Sequence, residues 1–259
     1  MSRLAPTLEN GKTLIPYFTF GDPGIAESEE LAIEAAKAGA DIIEWGMPFS
    51  DPIADGPVIQ ASHSRALANT PDISIDQLFE SALRVGQVVD TPIILMIATN
   101  LVYQYGIDDF FKHANASNIS GVIIPDLLFE ESDEYRAAAQ TNNIDWIPLL
   151  SPVSSEERLK TIAKSATGFV YLVSVLGTTG VRNTLSDTLG DLVDKVRVYN
   201  KIPVAVGFGI SQKEHVRQVW NMCEGAIVGT ALVKTLDDGN FESAKAQILA
   251  SIRDWVTLR

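Results

Sequence analysis

Three acidic residues stand close together where an apolar segment runs into a loop. Glu44 follows the apolar pair Ile42-Ile43, which is typical of a buried strand, and Asp51 and Asp55 stand in the Gly- and Pro-rich loop after it. Burying even a neutral polar group without a partner costs on the order of 2–7 kcal/mol, and an unpaired charge costs more. The pattern therefore predicts an acid or base tuned by its surroundings, with a second acid beside it. The alternative is structural: Glu44 neutralises a buried Arg or caps a neighbouring loop.

Two short glycine-rich turns indicate an anion site. Gly207-Phe-Gly209 and Gly229-Thr230 follow the last two apolar segments, and each precedes a helical pattern. Small residues let backbone N–H groups approach an anion, and the start of a helix adds positive partial charge. Glycines also end helices, so one such turn would be weak evidence. Two of them, with the loop Gly177–Gly180 able to close from a third side, predict a phosphate site.

The other reactive residue types do not form a recognisable site. His63, His113 and His215 lie in separate helical segments without a shared ligand spacing, and we expect them at the surface. Asp51 and Asp55 have no third ligand at a suitable spacing, so the sequence predicts no metal site.

The composition limits what the chain can bind. Its 259 residues include 33 acids against 20 Lys and Arg, which gives a net charge of −13. This balance repels nucleic acid and leaves backbone amides as the main ligands for a phosphate. No apolar run approaches the ~18 residues of a membrane span, no secretory signal is visible, and Cys223 is the single cysteine. We therefore expect a cytoplasmic protein that binds neither nucleic acid nor membrane.

Eight apolar segments alternate with helical patterns along the chain. The predicted strands are Leu14–Phe20, Asp41–Trp45, Pro92–Ile97, Gly121–Pro125, Trp146–Leu150, Gly168–Ser174, Ile202–Val206 and Gly225–Val228. Continuous apolar strands separated by helices indicate a parallel sheet covered on both faces. Eight such units predict an α/β fold, a single-domain TIM (β/α)8 barrel over residues 1–259, with an insertion between strands two and three. A doubly wound open sheet is the alternative, but the Gly-x-Gly-x-x-Gly turn expected after its first strand is missing.

Three stretches resemble the tryptophan synthase α-chain family. They are Leu14–Pro23, Glu44–Pro57 and Pro203–Ser211, and the second contains the highly specific string Pro-Phe-Ser-Asp-Pro-x-Ala-Asp-Gly-Pro. The resemblance spans nearly the whole chain in the right order. It implies a TIM-barrel lyase that cleaves indole-3-glycerol phosphate by a retro-aldol reaction to indole and glyceraldehyde 3-phosphate. It also implies an α2β2 complex whose β chain holds pyridoxal phosphate, with neither metal nor organic cofactor in this chain.

The resemblance also implies roles for individual residues. Glu44 matches the residue assigned the acid/base work at indole C3 and the adjacent hydroxyl, and Asp55 matches the acid that binds the indole N–H. The other implied positions are Tyr17, Met96 and Ile123 beside the indole, Tyr171 near the substrate hydroxyls, Gly180, Phe208, Gly209, Gly229 and Thr230 at the phosphate, and Asp51, Pro52 and Thr179 in mobile loops and the partner interface.

Four positions depart from the family pattern. Val175 stands where a positive residue is usual and Ala98 where a tyrosine is common, whereas Leu128 and Thr230 replace a proline and a serine. These changes leave two alternatives open. The alternatives to an α-chain lyase that works with a β chain are a free-standing lyase that releases indole and a weakly active allosteric partner of a β chain. Indole-3-glycerol phosphate synthase is disfavoured, because no strand carries a lysine suited to its acid chemistry.

Overall fold

Parallel strands and helices alternate along the chain. The computed structural model describes residues 2–173, 182–207 and 209–259, and of residues 182–188 and 238 it describes the backbone alone. The strands are β1 Thr13–Thr19, β2 Ile43–Gly46, β3 Ile93–Met96, β4 Ile119–Ile123, β5 Asp145–Trp146, β6 Leu149–Leu150, β7 Val170–Val173, β8 Val204–Gly207 and β9 Gly225–Val228. Each of the eight predicted strands overlaps an observed one.

The helices fill the intervals between the strands. They are α1 Leu4–Glu9, α2 Ile25–Ala38, α3 Pro57–Asn69, α4 Ile75–Gly86, α5 Thr99–Tyr105, α6 Ile107–Ala116, α7 Asp133–Thr141, α8 Glu156–Ser165, α9 Arg182–Tyr199, α10 Lys213–Trp220, α11 Thr230–Thr235 and α12 Phe241–Val256. None of the helices in the described part of the chain is long and apolar enough to cross a membrane.

The strand order identifies a barrel whose fifth strand is split. All pairings are parallel, in the order β5-β4-β3-β2-β1-β9-β8-β7-β6. The end strands β5 and β6 are two pieces of one segment, 145–150, which the sequence predicts as a single strand. Ile147 N–H donates to Val122 of β4, and Pro148 accepts a bond from Tyr171 of β7, so this segment joins the two edges. The split falls at Pro148 because proline has no N–H to give to the ladder.

Side chains alternate between two sides of the sheet. Phe18, Trp45 and Leu95 belong to the core between the strands and the helices, whereas Ile15 and Ile94 belong to the core inside the barrel. Because successive residues of a strand point to opposite faces, Glu44 points into the barrel, between outward-facing neighbours.

Helix α1, which the sequence patterns do not predict, closes the lower end of the barrel. Its Leu4 and Leu8 are fully buried in the inner core. A Cβ atom placed on Gly121 of β4 would lie 2.7 Å from Leu4 Cδ1, and one on Gly225 of β9 would lie 3.0 Å from Leu8 Cδ2. The strand glycines therefore make room for this helix, and a cavity inside the barrel must open at the opposite end.

The predicted insertion between strands two and three is the helix pair α3 and α4. Ser74 begins α4 with a capping box in which its hydroxyl accepts from the N–H of Gln77 and the Gln77 side chain accepts in return. The pattern Ser-Ser-Glu-Glu at 154–157 suggests the same device at Ser154. In the structure the cap is Ser155, which accepts from Arg158 N–H, so that cap lies one residue further along.

Candidate active site

Glu44 occupies the interior of the barrel on β2. The strand register pairs it with Tyr17 of β1 and Ile94 of β3, and its side chain has no exposed surface. Neither carboxyl oxygen has a hydrogen-bond partner within the described ranges. The structural alternative, a carboxylate that neutralises a buried Arg or caps a loop, therefore finds no partner among the described residues.

Burial controls the protonation of Glu44. Loss of water raises its pKa to about 8, and the charge of nearby Asp55 adds to this effect. The carboxyl is therefore mostly protonated at neutral pH. An acid held neutral in this way can give its proton to a weakly basic carbon and take one back.

Asp55 lies in the loop between β2 and α3, above Glu44. Burial raises its pKa to about 6, so the carboxylate is mostly ionised at neutral pH. Gln60 of α3 donates its side-chain N–H to the backbone carbonyl of Asp55 over 2.9 Å. The two acids therefore differ in protonation at the same pH, which suits one to proton transfer and the other to stabilising positive charge.

His63 is buried beside these acids, and the prediction that it lies at the surface is wrong. Its Nδ1 accepts the backbone N–H of Phe49 over 3.0 Å, and its Nε2 lies 3.5 Å from Asp55 Oδ2. Burial lowers the His63 pKa to about 4, so at neutral pH the contact with Asp55 joins a neutral ring to a carboxylate. The sequence contains a signal for this position, because Ile59 and Ala66, four residues before and three after it, share the buried face of α3.

Two tyrosines cross the barrel mouth over glycines of the next strand. A Cβ atom on Gly46 would lie 2.0 Å from the Tyr17 hydroxyl, and one on Gly207 would lie 2.2 Å from the Tyr171 hydroxyl. Burial raises the pKa of both phenols well above its ordinary value, and the charges of Glu44 and Asp55 act in the same direction. Both rings therefore stay neutral and lie close to the two acids.

Two adjoining cavities open at the carboxyl end of the strands, with about 390 and 440 Å³ of empty space when their open mouths are included. Tyr17, Asp55 and Met96 line both. The first is completed by Gly46, Met47, Phe49, Asp51, Pro52, Ile53, Ala54, His63, Ile97, Ala98, Pro125 and Asp126, and the second by Ile59, Tyr171, Gly209, Ile210, Ile227, Gly229 and Thr230. The described lining residues include no Lys or Arg, so none of them supplies a permanent positive charge to neutralise the acids.

The remaining predicted site residues either line a cavity, lie buried in the inner core, or lie outside the described residues. Gly209, Gly229 and Thr230 line the second cavity, and Asp51 and Pro52 line the first. Ile123 is fully buried in the inner core and is not among the lining residues. Thr179, Gly180 and Phe208, with Val175, lie outside the described residues.

The glycine turns give the second cavity a polar end. Gly209 has a φ of +74°, a left-handed conformation that favours glycine. Helix α11 begins at Thr230, and the first N–H groups of a helix have no acceptor within it. These N–H groups make one end of the cavity polar, and Ile59 and Ile227 make its wall apolar.

Comparison with known proteins identifies the family. The family model described as "Tryptophan synthase alpha chain" matches residues 5–254. This chain belongs to the tryptophan synthase alpha chain family. A relative from Petrotoga mobilis of that name is 42% identical over 95% of this chain and 94% of its own length. One from Alkaliphilus metalliredigens is 40% identical over 88% and 85%.

Solved structures of the same family share the fold. A tryptophan synthase structure from Mycobacterium tuberculosis superimposes with a TM-score of 0.89 at 30% identity, over 99% of this chain and 98% of that one. A structure of the α2β2 complex from Pyrococcus furiosus gives a TM-score of 0.87 at 37% identity, over 95% and 98%. The predicted TIM barrel is confirmed. As a family member, the chain is a carbon–carbon lyase that carries out the α reaction of tryptophan biosynthesis, the cleavage of indole-3-glycerol phosphate.

Proposed function

We propose that Glu44 and Asp55 together carry out the retro-aldol cleavage of indole-3-glycerol phosphate. The observation that carries this assignment is the state of Glu44. Its carboxyl is fully buried, has no hydrogen-bond partner in the described part of the chain, and has a pKa of about 8. A group in that state is unfavourable for folding, and it is suited to proton transfer.

Glu44 moves protons in both halves of the reaction. Protonated at neutral pH, it gives its proton to C3 of the indole ring, and the ring nitrogen takes up the positive charge. As a carboxylate it then removes the proton of the hydroxyl on the adjacent side-chain carbon. The bond from that carbon to C3 breaks, its electron pair returns to the ring, and an aldehyde forms. Glu44 ends protonated again, so a single residue completes the cycle.

Asp55 stabilises the intermediate between these two steps. Its pKa of about 6 leaves it ionised while Glu44 is protonated. A carboxylate that accepts the indole N–H gains binding strength as positive charge develops on that nitrogen, which lowers the barrier rather than the ground state.

We place the indole between Tyr17 and Met96, which line both cavities, and the glycerol hydroxyls beside Tyr171. The phosphate lies at the polar end of the second cavity, on the backbone of Gly209, Gly229 and Thr230. The roles of Gly180 and Phe208 at the phosphate and of Ile123 beside the indole stay predictions.

The reaction as written transfers only protons and one electron pair within the substrate. We therefore expect it to need neither a metal nor an organic cofactor from this chain. Pyridoxal phosphate is expected on the β chain alone, and the cytoplasmic location also stays a prediction.

We propose that a β chain covers the carboxyl end of the barrel, as in an α2β2 assembly. The Pyrococcus furiosus relative is described as an α2β2 complex with mutual activation. Four exposed large apolar side chains stand on loops or helices that follow strands at this end of the barrel. They are Ile53 after β2, Tyr103 in α5 after β3, Leu128 after β4 and Val153 after β6. With Asp51 and Pro52 beside Ile53, these side chains expose apolar surface at this end of the barrel, which suits a protein partner.

The test is indole release by purified variants. Glu44→Gln keeps the size of the side chain and removes the acidic carboxyl proton, so we expect turnover to fall by ~10²–10⁴-fold. Asp55→Asn keeps the shape and removes the charge, and a loss in the same range is expected. Wild-type turnover by Glu44→Gln would refute the assignment, and equally low turnover by both proteins would favour a barrel kept as a weakly active allosteric partner.

A further inference from the structure

Helix α3 holds the Asp55 loop through two side chains one turn apart. Gln60 donates to the Asp55 carbonyl, and His63, three residues on, faces the Asp55 carboxyl. Residues three apart lie on the same side of a helix. The helix itself is anchored, because Arg65 donates two bonds to buried Asp22 over 3.0 and 2.7 Å. The loop that carries Asp55 therefore rests on a fixed support.

The His63 ring has a defined orientation within this support. The N–H of Phe49 donates to Nδ1, so the proton of the neutral ring is on Nε2. That nitrogen lies 3.5 Å from Asp55 Oδ2 and 3.5 Å from the Tyr17 hydroxyl. Both distances exceed the ordinary hydrogen-bond range, and such contacts often shorten when substrate binds.

We infer that His63 is a positioning residue, which links the backbone at Phe49 to the Asp55 carboxylate and fixes the direction in which that carboxylate meets the substrate. This rests on the proposed role of Asp55 at the indole N–H. His63 itself touches no reacting atom in this account.

The charge of His63 matters for this role. The titratable groups in its cavity are Tyr17 from β1, Asp51 and Asp55 from the loop, and Asp126 after β4, and Glu44 of β2 lies close to Tyr17. A protonated ring beside them would neutralise Asp55 and weaken its pull on the indole nitrogen. Burial lowers the His63 pKa to about 4, so the neutral ring orients Asp55 by turning its Nε2–H toward the carboxylate and adds no charge.

The experiment compares His63→Leu, which removes both ring nitrogens, with His63→Gln, whose longer amide keeps a donor that reaches Asp55. We expect His63→Leu to lower kcat for indole release by ~10-fold or more, as expected when a reacting group is misplaced. The acid limb of its pH profile moves to higher pH, because the ionised form of Asp55 has lost a donor. His63→Gln restores most of the activity and the position of the acid limb. His113→Leu, at an exposed histidine of α6, is the matched control and leaves both unchanged.

Two outcomes overturn the inference. The first is an unshifted acid limb in His63→Leu, and the second is equal loss in His63→Gln and His63→Leu. In either case, continued inactivity of Asp55→Asn shows that the proposed function stands and the role of His63 alone fails. Full activity of Asp55→Asn shows instead that the function proposed for Asp55 fails.

A measurement on the wild-type chain covers the case in which His63→Leu does not fold. Nitrogen-15 NMR of the histidine side chains should show His63 neutral, with its proton on Nε2, from about pH 5 to pH 9. A proton on Nδ1, or a ring that titrates within that range, contradicts the inference.

Discussion

The two acids of the site titrate in an order set by how deeply each is buried. Glu44 is completely enclosed and has the higher pKa, about 8, whereas Asp55 in the loop has a pKa of about 6. The working state, in which Glu44 is protonated and Asp55 is ionised, therefore exists between these two pKa values.

We therefore predict a bell-shaped dependence of kcat/KM on pH for indole release. The rate rises as Asp55 ionises near pH 6 and falls as Glu44 loses its proton near pH 8. Asp55→Asn should lose the acid limb of this profile together with most of the rate. Steady-state kinetics across this range is the measurement, and a rate that keeps rising above pH 8 would contradict the assignment of Glu44 as the acid.

Glu44 also makes the folded state sensitive to pH. Its pKa is about 8 in the folded chain and 4.5 in its ordinary state, so between these values the folded state holds a proton that the unfolded state has released. Stability is therefore greatest below about pH 4.5 for this group, and it is lost as the pH rises to 8.

Glu44→Gln is expected to remove this dependence and to raise the free energy of unfolding at pH 8. A tenfold change in a proton equilibrium corresponds to about 1.4 kcal/mol, so we expect a gain on the order of a few kcal/mol. Urea unfolding of both proteins at pH 5 and pH 8 measures it. A variant less stable than wild type at pH 8 would show that Glu44 has a stabilising partner.

At the residue scale, the sequence predicts the acids and misses the histidine. Glu44 stands out because a charge in an apolar strand needs a reason, and Asp55 stands out within the specific string that follows. His63 shows no such contrast, since a lone histidine in a helix is usually exposed. Its burial depends on which face of α3 meets the barrel, and only the tertiary structure gives that contact.

Among the elements, the strand-end glycines set the shape of the mouth. Gly46 ends β2 and Gly207 ends β8, and each lets a tyrosine of the neighbouring strand lie across it. The motif around Glu44 contains the first glycine, but the sequence does not reveal which ring it receives. The strand register pairs Gly46 with Thr19, and the ring of Tyr17, two residues before Thr19 on the same face, reaches across that glycine.

Gly46→Ala tests this arrangement. The added methyl would lie 2.0 Å from the Tyr17 hydroxyl, so the ring must move out of its position between the two cavities. We expect the free energy of unfolding to fall by ~1–3 kcal/mol. We also expect kcat/KM to fall by about 10- to 100-fold, because the indole pocket loses its shape.

Gly190→Ala in α9 is the matched control, since a methyl there meets nothing within 4 Å. It should leave activity unchanged and stabilise the helix by about 0.5–1 kcal/mol. Equal behaviour of the two variants would show that the approach of Tyr17 to Gly46 does not shape the site.

The elements themselves follow closely from the apolar pattern. Eight parallel units are visible because each buried strand is a continuous apolar run, and the insertion shows in the long interval before strand three. The break of strand five at Pro148 and helix α1, which closes the lower end of the barrel, are not predicted. Both depend on which neighbours the backbone meets, which a local pattern does not contain.

At the scale of the whole molecule, the net charge and the exposed apolar surface indicate which partners the chain binds. A net charge of −13 disfavours nucleic acid, and we expect backbone groups to bind the substrate phosphate because cationic side chains are few. The exposed apolar side chains at the barrel mouth suit a protein partner. The same end of the barrel thus bears both the site and the proposed interface.

Leu128→Lys should weaken the binding of the β chain without changing the basal rate of indole release. A charge placed in an apolar interface loses water without gaining a partner, so we expect at least about a tenfold loss in affinity. Val198→Lys is the control, because this exposed valine lies at the end of α9, on the opposite face of the barrel. Titration of a β chain measured by activation of indole release compares the two, and equal affinities would place the interface elsewhere.

The most direct test of the account measures indole release from indole-3-glycerol phosphate. The wild-type chain and Glu44→Gln are each assayed alone and with a β chain added. We predict slow release by wild type alone, an increase of about 10-fold or more with the partner through coupling between the sites, and a loss of ~10²-fold or more in Glu44→Gln under both conditions. A fast wild-type rate unaffected by the partner would indicate a free-standing lyase. Equal rates for wild type and Glu44→Gln would contradict the central claim that Glu44 moves the protons.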